Sequence, residues 1–137
     1  MIQVMIRCLV VCASVVLVSA PRAAEFPPIK LLDTKAVDPA MMKDTYGAWE
    51  IQDAKGRKRC RVMLKPDSTI GGSQIEIAPG CAKTFPIMGE ITSWRLLEGW
   101  TIDFVDALRK TRIRFSTPDN RYIAEPEADG IATIVKR

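Results

Sequence analysis

From Ala48 to the C-terminus the apolar positions recur every second residue, and turn residues interrupt them at short, even intervals. Period-two alternation bounded by Gly, Pro, Asn and Asp is the signature of half-buried β-strands. Ala48 to Asp53 reads as a first strand, ended by the turn Asp53-Ala54-Lys55-Gly56. Lys58 to Leu64 follows, with Cys60, Val62 and Leu64 on one face, Arg59, Arg61 and Met63 on the other, and Pro66-Asp67 ending it. Ser73 to Ile77 sends Ile75 and Ile77 to one face and stops before Pro79-Gly80; Lys83 to Met88, around Pro86, reads as a loop or short helix. Ile91 to Leu96 holds Trp94, and Glu98-Gly99 turns the chain. Trp100, Ile102 and Phe104 then alternate with Thr101, Asp103 and Val105. Arg112 to Ser116, Arg121 to Glu125 and Ile131 to Lys136 complete the series, with turns at Pro118-Asp119-Asn120 and Asp129-Gly130. Eight short consecutive strands would leave two exposed edges unless the sheet closes, so the pattern predicts an all-β protein, an eight-stranded antiparallel up-and-down barrel filled by its own side chains.

Ahead of the strands the pattern differs. Asp38-Pro39-Ala40-Met41-Met42-Lys43 has a capping residue followed by proline at the first helical position, which predicts a helical turn inside a segment 25–45 that precedes a barrel domain over 46–137. Glu25 to Asp38 shows no period, and Pro27-Pro28 favours extended geometry, so this stretch reads as an extended N-terminal arm. Cys8 to Ala20 is an unbroken run of apolar and small residues behind Arg7. A membrane-crossing helix needs roughly 20 apolar residues, and this run is shorter. It fits the apolar centre of a secretory signal peptide over 1–24, cut after Ala24 or, alternatively, after Ala20. Export to the periplasm is the expected localisation.

Composition changes this picture in three ways. Processing would remove Cys8 and Cys12, and the remaining pair, Cys60 and Cys81, reads as one disulfide in an oxidising compartment. The whole chain carries a formal charge of +4, but Arg7 and Arg22 lie in the signal, so the exported part is close to neutral and no nucleic-acid partner is expected. The basic clusters Lys55-Arg61 and Arg109-Arg114 sit on hairpins with no interleaved aromatics, the pattern of a solvated face rather than a nucleic-acid surface. Histidine is absent, which excludes the usual Ser-His and Cys-His nucleophiles and removes the commonest zinc ligand. Asp103 and Asp106 are the only tempting carboxylate pair; one falls outward on a strand and the other in a turn. No enzyme activity, metal or cofactor is expected.

Gly47-x-Trp49 directly after a helical turn resembles the opening of calycin barrels, in which the tryptophan closes one barrel end. With it come Cys60-Arg61-Val62-Met63-Leu64, Gly72, Cys81 with Phe85-Pro86, Trp94, Glu98-Gly99-Trp100-x-Ile102-x-Phe104, Ile113-x-Phe115, Tyr122 and a basic C-terminus. This series resembles the bacterial alkaline-protease inhibitor family and its outer-membrane lipoprotein relatives. The resemblance implies a calycin-like barrel, Cys60–Cys81 as the family's disulfide, and Gly47 and Trp49 as its barrel-end packing. It also implies a secreted metalloprotease of the serralysin type as partner, met through an N-terminal trunk that enters the protease cleft. Glu25, Phe26, Pro27 and Pro28 are the contact residues expected by position, unmatched to any family motif, since the arm here is longer. The family's glycine turn after the Trp100–Val105 strand is missing from Asp106-Ala107-Leu108-Arg109-Lys110-Thr111, so that hairpin is expected to be longer or distorted. The free protein is expected to be monomeric, with no membrane contact after processing. Two other readings stand beside inhibition: a lipocalin-like carrier of a small apolar ligand, lined by Trp94, Trp100, Phe104 and Phe115, and a structural protein of the cell envelope.

Overall fold

A computed structural model describes residues 25–137; segment 1–24, expected from the sequence to be a signal peptide, lies outside the described residues. Helix α1 (Pro39–Thr45) leads into β1 (Gly47–Asp53), β2 (Arg59–Thr69), β3 (Gly72–Ile77), α2 (Cys81–Thr84), a 3-10 turn (Pro86–Glu90), β4 (Ile91–Leu97), β5 (Thr101–Asp106), β6 (Thr111–Ser116), β7 (Tyr122–Ala128) and β8 (Ile131–Lys136). The strands pair antiparallel in sequence order and close as a barrel when β1 meets β8, with Trp49 opposite Lys136 and Ile51 opposite Ile134. Closure removes the edges that an eight-strand meander would leave open.

Inward positions follow the expected alternation. Ile51, Leu64, Ile102, Phe104, Ile113, Phe115, Ile131 and Ile134 are fully or almost fully buried, and Phe104 meets Phe115 edge-on at 5.3 Å. Large side chains fill the barrel, which leaves the carrier reading without support. At the end where β3 finishes and β4 begins, the loop carrying α2 folds inward and buries Phe85 and Met88. Cys60 and Cys81 form a disulfide, with Cα atoms 5.2 Å apart, that ties the start of α2 to β2.

Several strand boundaries differ from the sequence expectation. β2 does not stop at Pro66-Asp67 but runs on to Thr69; its pairing with β3 shifts between Leu64 and Ser68, and a proline is tolerated in such a bulge because no ladder N–H is needed there. β7 likewise continues past Glu125 to Ala128, with a register shift between Ile123 and Ala128 that spans Pro126. Trp100 is not a strand residue. It follows Gly99 in a turn, both with positive φ (60° and 71°), and β5 begins at Thr101. The 106–111 hairpin works without glycine because Asp106 Oδ1 accepts from the backbone N–H groups of Leu108 and Lys110, while Arg109 takes the left-handed conformation.

The largest departure is on the outer wall. Thr101, Asp103 and Val105 alternate with the core residues of β5 as expected, yet they are buried too, as is Ser93 of β4. Two segments cover them. The β2–β3 tip lies flat on the wall: a side-chain carbon at Gly71 would sit 3.2 Å from Ser93 Oγ and 3.9 Å from Val105 Cγ1, and one at Gly72 would run into the Trp94 carbonyl. The N-terminal arm covers the rest.

The disulfide closes a loop of 21 residues' separation. Cys60→Ser with Cys81→Ser should lower the free energy of unfolding by about 3 kcal/mol. Urea unfolding of wild type and double variant checks this; equal midpoints would mean that the loop is held by packing alone.

Candidate functional site

The arm is positioned by backbone geometry first. β3 leaves β4 early, pairing with it only at Ser73–Trp94, so the end of β4 lacks a strand partner on that side. The arm takes the vacancy: Leu31 bridges Leu97, Leu32 N donates to the Leu96 carbonyl at 3.0 Å, and Glu98 N donates to the Lys30 carbonyl at 2.8 Å. An extended segment rich in proline suits this place, because its conformation is already favoured before it docks.

Upstream of that bridge a buried ion pair holds the arm. Asp103 and Arg114 face each other across β5 and β6. Arg114 Nε donates to Asp103 Oδ1 at 2.7 Å and Nη2 to Oδ2 at 2.8 Å, a two-bond fork, and the Thr111 hydroxyl donates to the same Oδ2 at 2.7 Å. The remaining guanidinium edge donates to the Pro27 carbonyl, and the guanidinium carbon stands 5.4 Å from the centroid of the Phe26 ring. Arg114 therefore satisfies Asp103 with one edge and grips the arm with the other. Such a pair holds because each charge finds a full set of partners away from water.

Between the arm and the β2–β3 tip runs a groove of ≈ 470 Å³ bordered by Phe26, Pro28, Leu31, Gly72, Arg95 and Arg109. Glu25, Pro27 and Pro28 are exposed at its rim and Phe26 is half-buried.

The barrel end next to the arm is closed by Trp49. Its indole is buried, donates to the Thr45 carbonyl at 2.8 Å, and meets the Tyr122 ring edge-on at 5.4 Å. Lys136 Nζ stands 5.1 Å from the indole centroid and also donates to the Tyr46 carbonyl. Burial holds the Lys136 ammonium below its ordinary pKa, against the opposing pull of Asp44. Gly47 is required here. Its φ of +108° suits glycine, and a side-chain carbon would approach Lys136 Nζ to 3.2 Å.

A tryptophan-closed, disulfide-stapled barrel of this topology agrees with what family comparison finds: residues 40–137 match the family described as protease inhibitor Inh. The chain belongs to this inhibitor family. No curated protein matches the chain. The matched region begins inside α1, so the arm that Arg114 holds lies outside what the family match covers.

The expected site residues fall into three places. Cys60 and Cys81 are joined, Gly47 and Trp49 meet Lys136 at the barrel end, and in the arm Phe26 and Pro27 are held by Arg114 of β6 while Glu25 and Pro28 stay exposed. Sequence reasoning assigned Arg114 to a solvated basic face, yet it is buried under the arm. Arg112 is half-buried between Glu90 and Asp106. In the other cluster Arg59 and Arg61 gather with Arg137 around the buried carboxylate of Glu50. The hydrogen bond from Arg137 is the main reason that the Glu50 carboxyl lies below its ordinary pKa. Asp103, considered for hydrolysis, is fully engaged by Arg114 and Thr111. The signal that could have found the clamp is the i, i+2 spacing of Arg112 and Arg114 on a strand expected to pair with Asp103.

Removing one partner of a buried pair leaves the other charge uncompensated, at a cost of roughly 3–5 kcal/mol. Asp103→Ala should therefore lower stability by that amount. Arg112→Ala, which breaks a half-exposed pair, should cost about 1 kcal/mol or less. Chemical unfolding of both variants checks the ranking, and equal losses would contradict it.

Proposed function

We propose that this protein inhibits a secreted zinc metalloprotease of the serralysin type, acting in the periplasm after cleavage of segment 1–24, with the Glu25–Pro28 end of the arm entering the protease cleft. Membership in a family of protease inhibitors supports the role and an origin other than catalysis. The observation that favours the arm is the grip of Arg114 on Pro27 and Phe26, which fixes an extended, accessible segment at the very start of the described chain.

Binding through a short segment buries little area, so affinity must come from keeping the ordering cost low. The bridge at Leu31, the Pro27-Pro28 pair and the Arg114 clamp meet that cost during folding. The barrel then acts as a rigid mount, and the free protein works as a monomer. A zinc protease supplies the metal in this pairing, and the inhibitor needs none of its own.

The test compares protein beginning at Glu25 with protein beginning at Val37 against a purified serralysin-type protease. Truncation should weaken inhibition by roughly 100-fold or more, on the order of 3 kcal/mol, while the barrel still unfolds cooperatively. Equal inhibition by both forms would eliminate the arm mechanism. Inhibition by neither would favour a structural role in the cell envelope.

A further inference from the structure

At the barrel end closed by Trp49 lies a second concavity, of ≈ 420 Å³, that inhibition through the arm does not use. Its wall is aromatic: Trp49, Trp100 and Tyr122, with Met41 of α1 at the rim. Its polar groups are Asp44, Thr45, Thr117 and Asn120, and of these only Asp44 is charged. The size lies within the roughly 300–1,000 Å³ of small-ligand pockets. Two loops contribute to the lining, and each holds a non-glycine residue in the left-handed region, Trp100 at φ 60° and Asn120 at φ 60°. The Tyr122 hydroxyl donates to the Trp100 carbonyl at 2.8 Å, which ties the start of β7 to the Trp100 turn. Burial pushes the Tyr122 phenol up to about 12, so it stays neutral and the cup gains no second negative charge at ordinary pH.

We infer that this cup binds an alkylammonium group, held against the aromatic faces of Trp100 and Tyr122 with Asp44 as counter-charge. Aromatic rings attract cations through their negative faces, most strongly for indole, and quaternary ammonium ligands are recognised by such cages. The same end of the barrel already displays the interaction, since the Lys136 ammonium lies against the Trp49 ring. That ammonium does not line the cup; it is turned to the Tyr46 carbonyl. Asp44 makes no direct ion pair among the described residues and acts on the Lys136 ammonium only at a distance. An anion would find no cation in the lining, and a neutral apolar ligand would desolvate Asp44 without compensation. The cation could come from a free quaternary amine or from a lysine side chain of another protein, and the chemistry is the same.

The three tryptophans make the test direct, because each indole N–H gives its own resonance in a ¹⁵N-labelled sample of the protein. Trp94 serves as the internal control, its indole N–H being bonded inside to the carbonyls of Lys65 and Gln74. The titrants are tetramethylammonium chloride, N-acetyl-lysine methylamide and the uncharged isostere tert-butanol, each against sodium chloride at matched ionic strength. At least one of the two ammonium compounds should shift the Trp100 and Trp49 indole signals saturably in the millimolar range, with Trp94 unmoved. Saturation by tetramethylammonium alone assigns the site to free quaternary amines; saturation by the lysine derivative assigns it to a protein side chain. Asp44→Asn should weaken binding by about fivefold, and Trp100→Ala should abolish it, with the Trp94 signal in place as evidence of folding. No saturable shift with either ammonium, an equal response to tert-butanol, or unchanged binding in both variants would overturn the assignment.

Discussion

A carboxylate and a guanidinium buried side by side on the outside of a barrel can persist only if something covers them, and here that cover is the N-terminal arm. Asp103 is saturated by Arg114 and Thr111, which leaves one edge of the guanidinium to be satisfied, and the Pro27 carbonyl satisfies it. The dependence runs both ways. Without the arm the pair would face water and weaken, and without the pair the arm would retain only the short bridge to the end of β4. The arm is thereby coupled to the wall of β5 and β6 through the Arg114 side chain, in addition to its bridge to the end of β4.

The rest of the fold makes that coupling rigid. Trp49 and Lys136 lock the junction of β1 and β8, where the barrel closes and where α1 delivers the chain from the arm. The Cys60–Cys81 disulfide and the inward Phe85 and Met88 close the opposite end. Between them a solid aromatic and aliphatic core leaves the wall little freedom to deform. An inhibitor that acts through a short extended segment gains from such a mount, because every residue ordered in advance is one not ordered on binding. The same closure by Trp49 leaves a partly open aromatic cup beneath α1, so one structural device shapes two surfaces with different chemistry.

Strand number, order and closure were legible in the sequence because inward Val62, Leu64, Ile102, Phe104, Ile113 and Phe115 recur every second residue between frequent turn signals. The disulfide was legible because Cys60 and Cys81 are the one pair left after the expected processing, and the Gly47–Trp49 opening through its resemblance to calycin barrels. What could not be read was the second covering on the wall of β4 and β5. Val105 and Ser93 look like ordinary outward positions, and their burial depends on a β2–β3 tip that curls back only because Gly71 and Gly72 permit close approach. Pro66 was read as a strand end because a bulge that accommodates it is set by pairing with distant residues. Arg114 was assigned to solvent because nothing in a local window shows that Pro27, far away in sequence, supplies its last partner. Trp100 was placed one residue into a strand; the left-handed Gly99-Trp100 turn that puts it on the cup has no pattern beyond the glycine.

The claim on which this account rests is that the arm is part of the folded wall. Amide hydrogen exchange of protein beginning at Glu25 tests it most directly, at two N–H groups whose only described partners lie across the arm–barrel contact: Leu32, bonded to the Leu96 carbonyl, and Glu98, bonded to the Lys30 carbonyl. Both should be protected at neutral pH, and both should exchange faster but stay partly protected when Asp103 is replaced by alanine, because the bridge itself remains, while Ile51 and Phe104 in the core exchange more slowly throughout. Exchange of Leu32 and Glu98 at the rate of an unstructured peptide in the wild-type protein would show that the arm is not held, and would contradict the account.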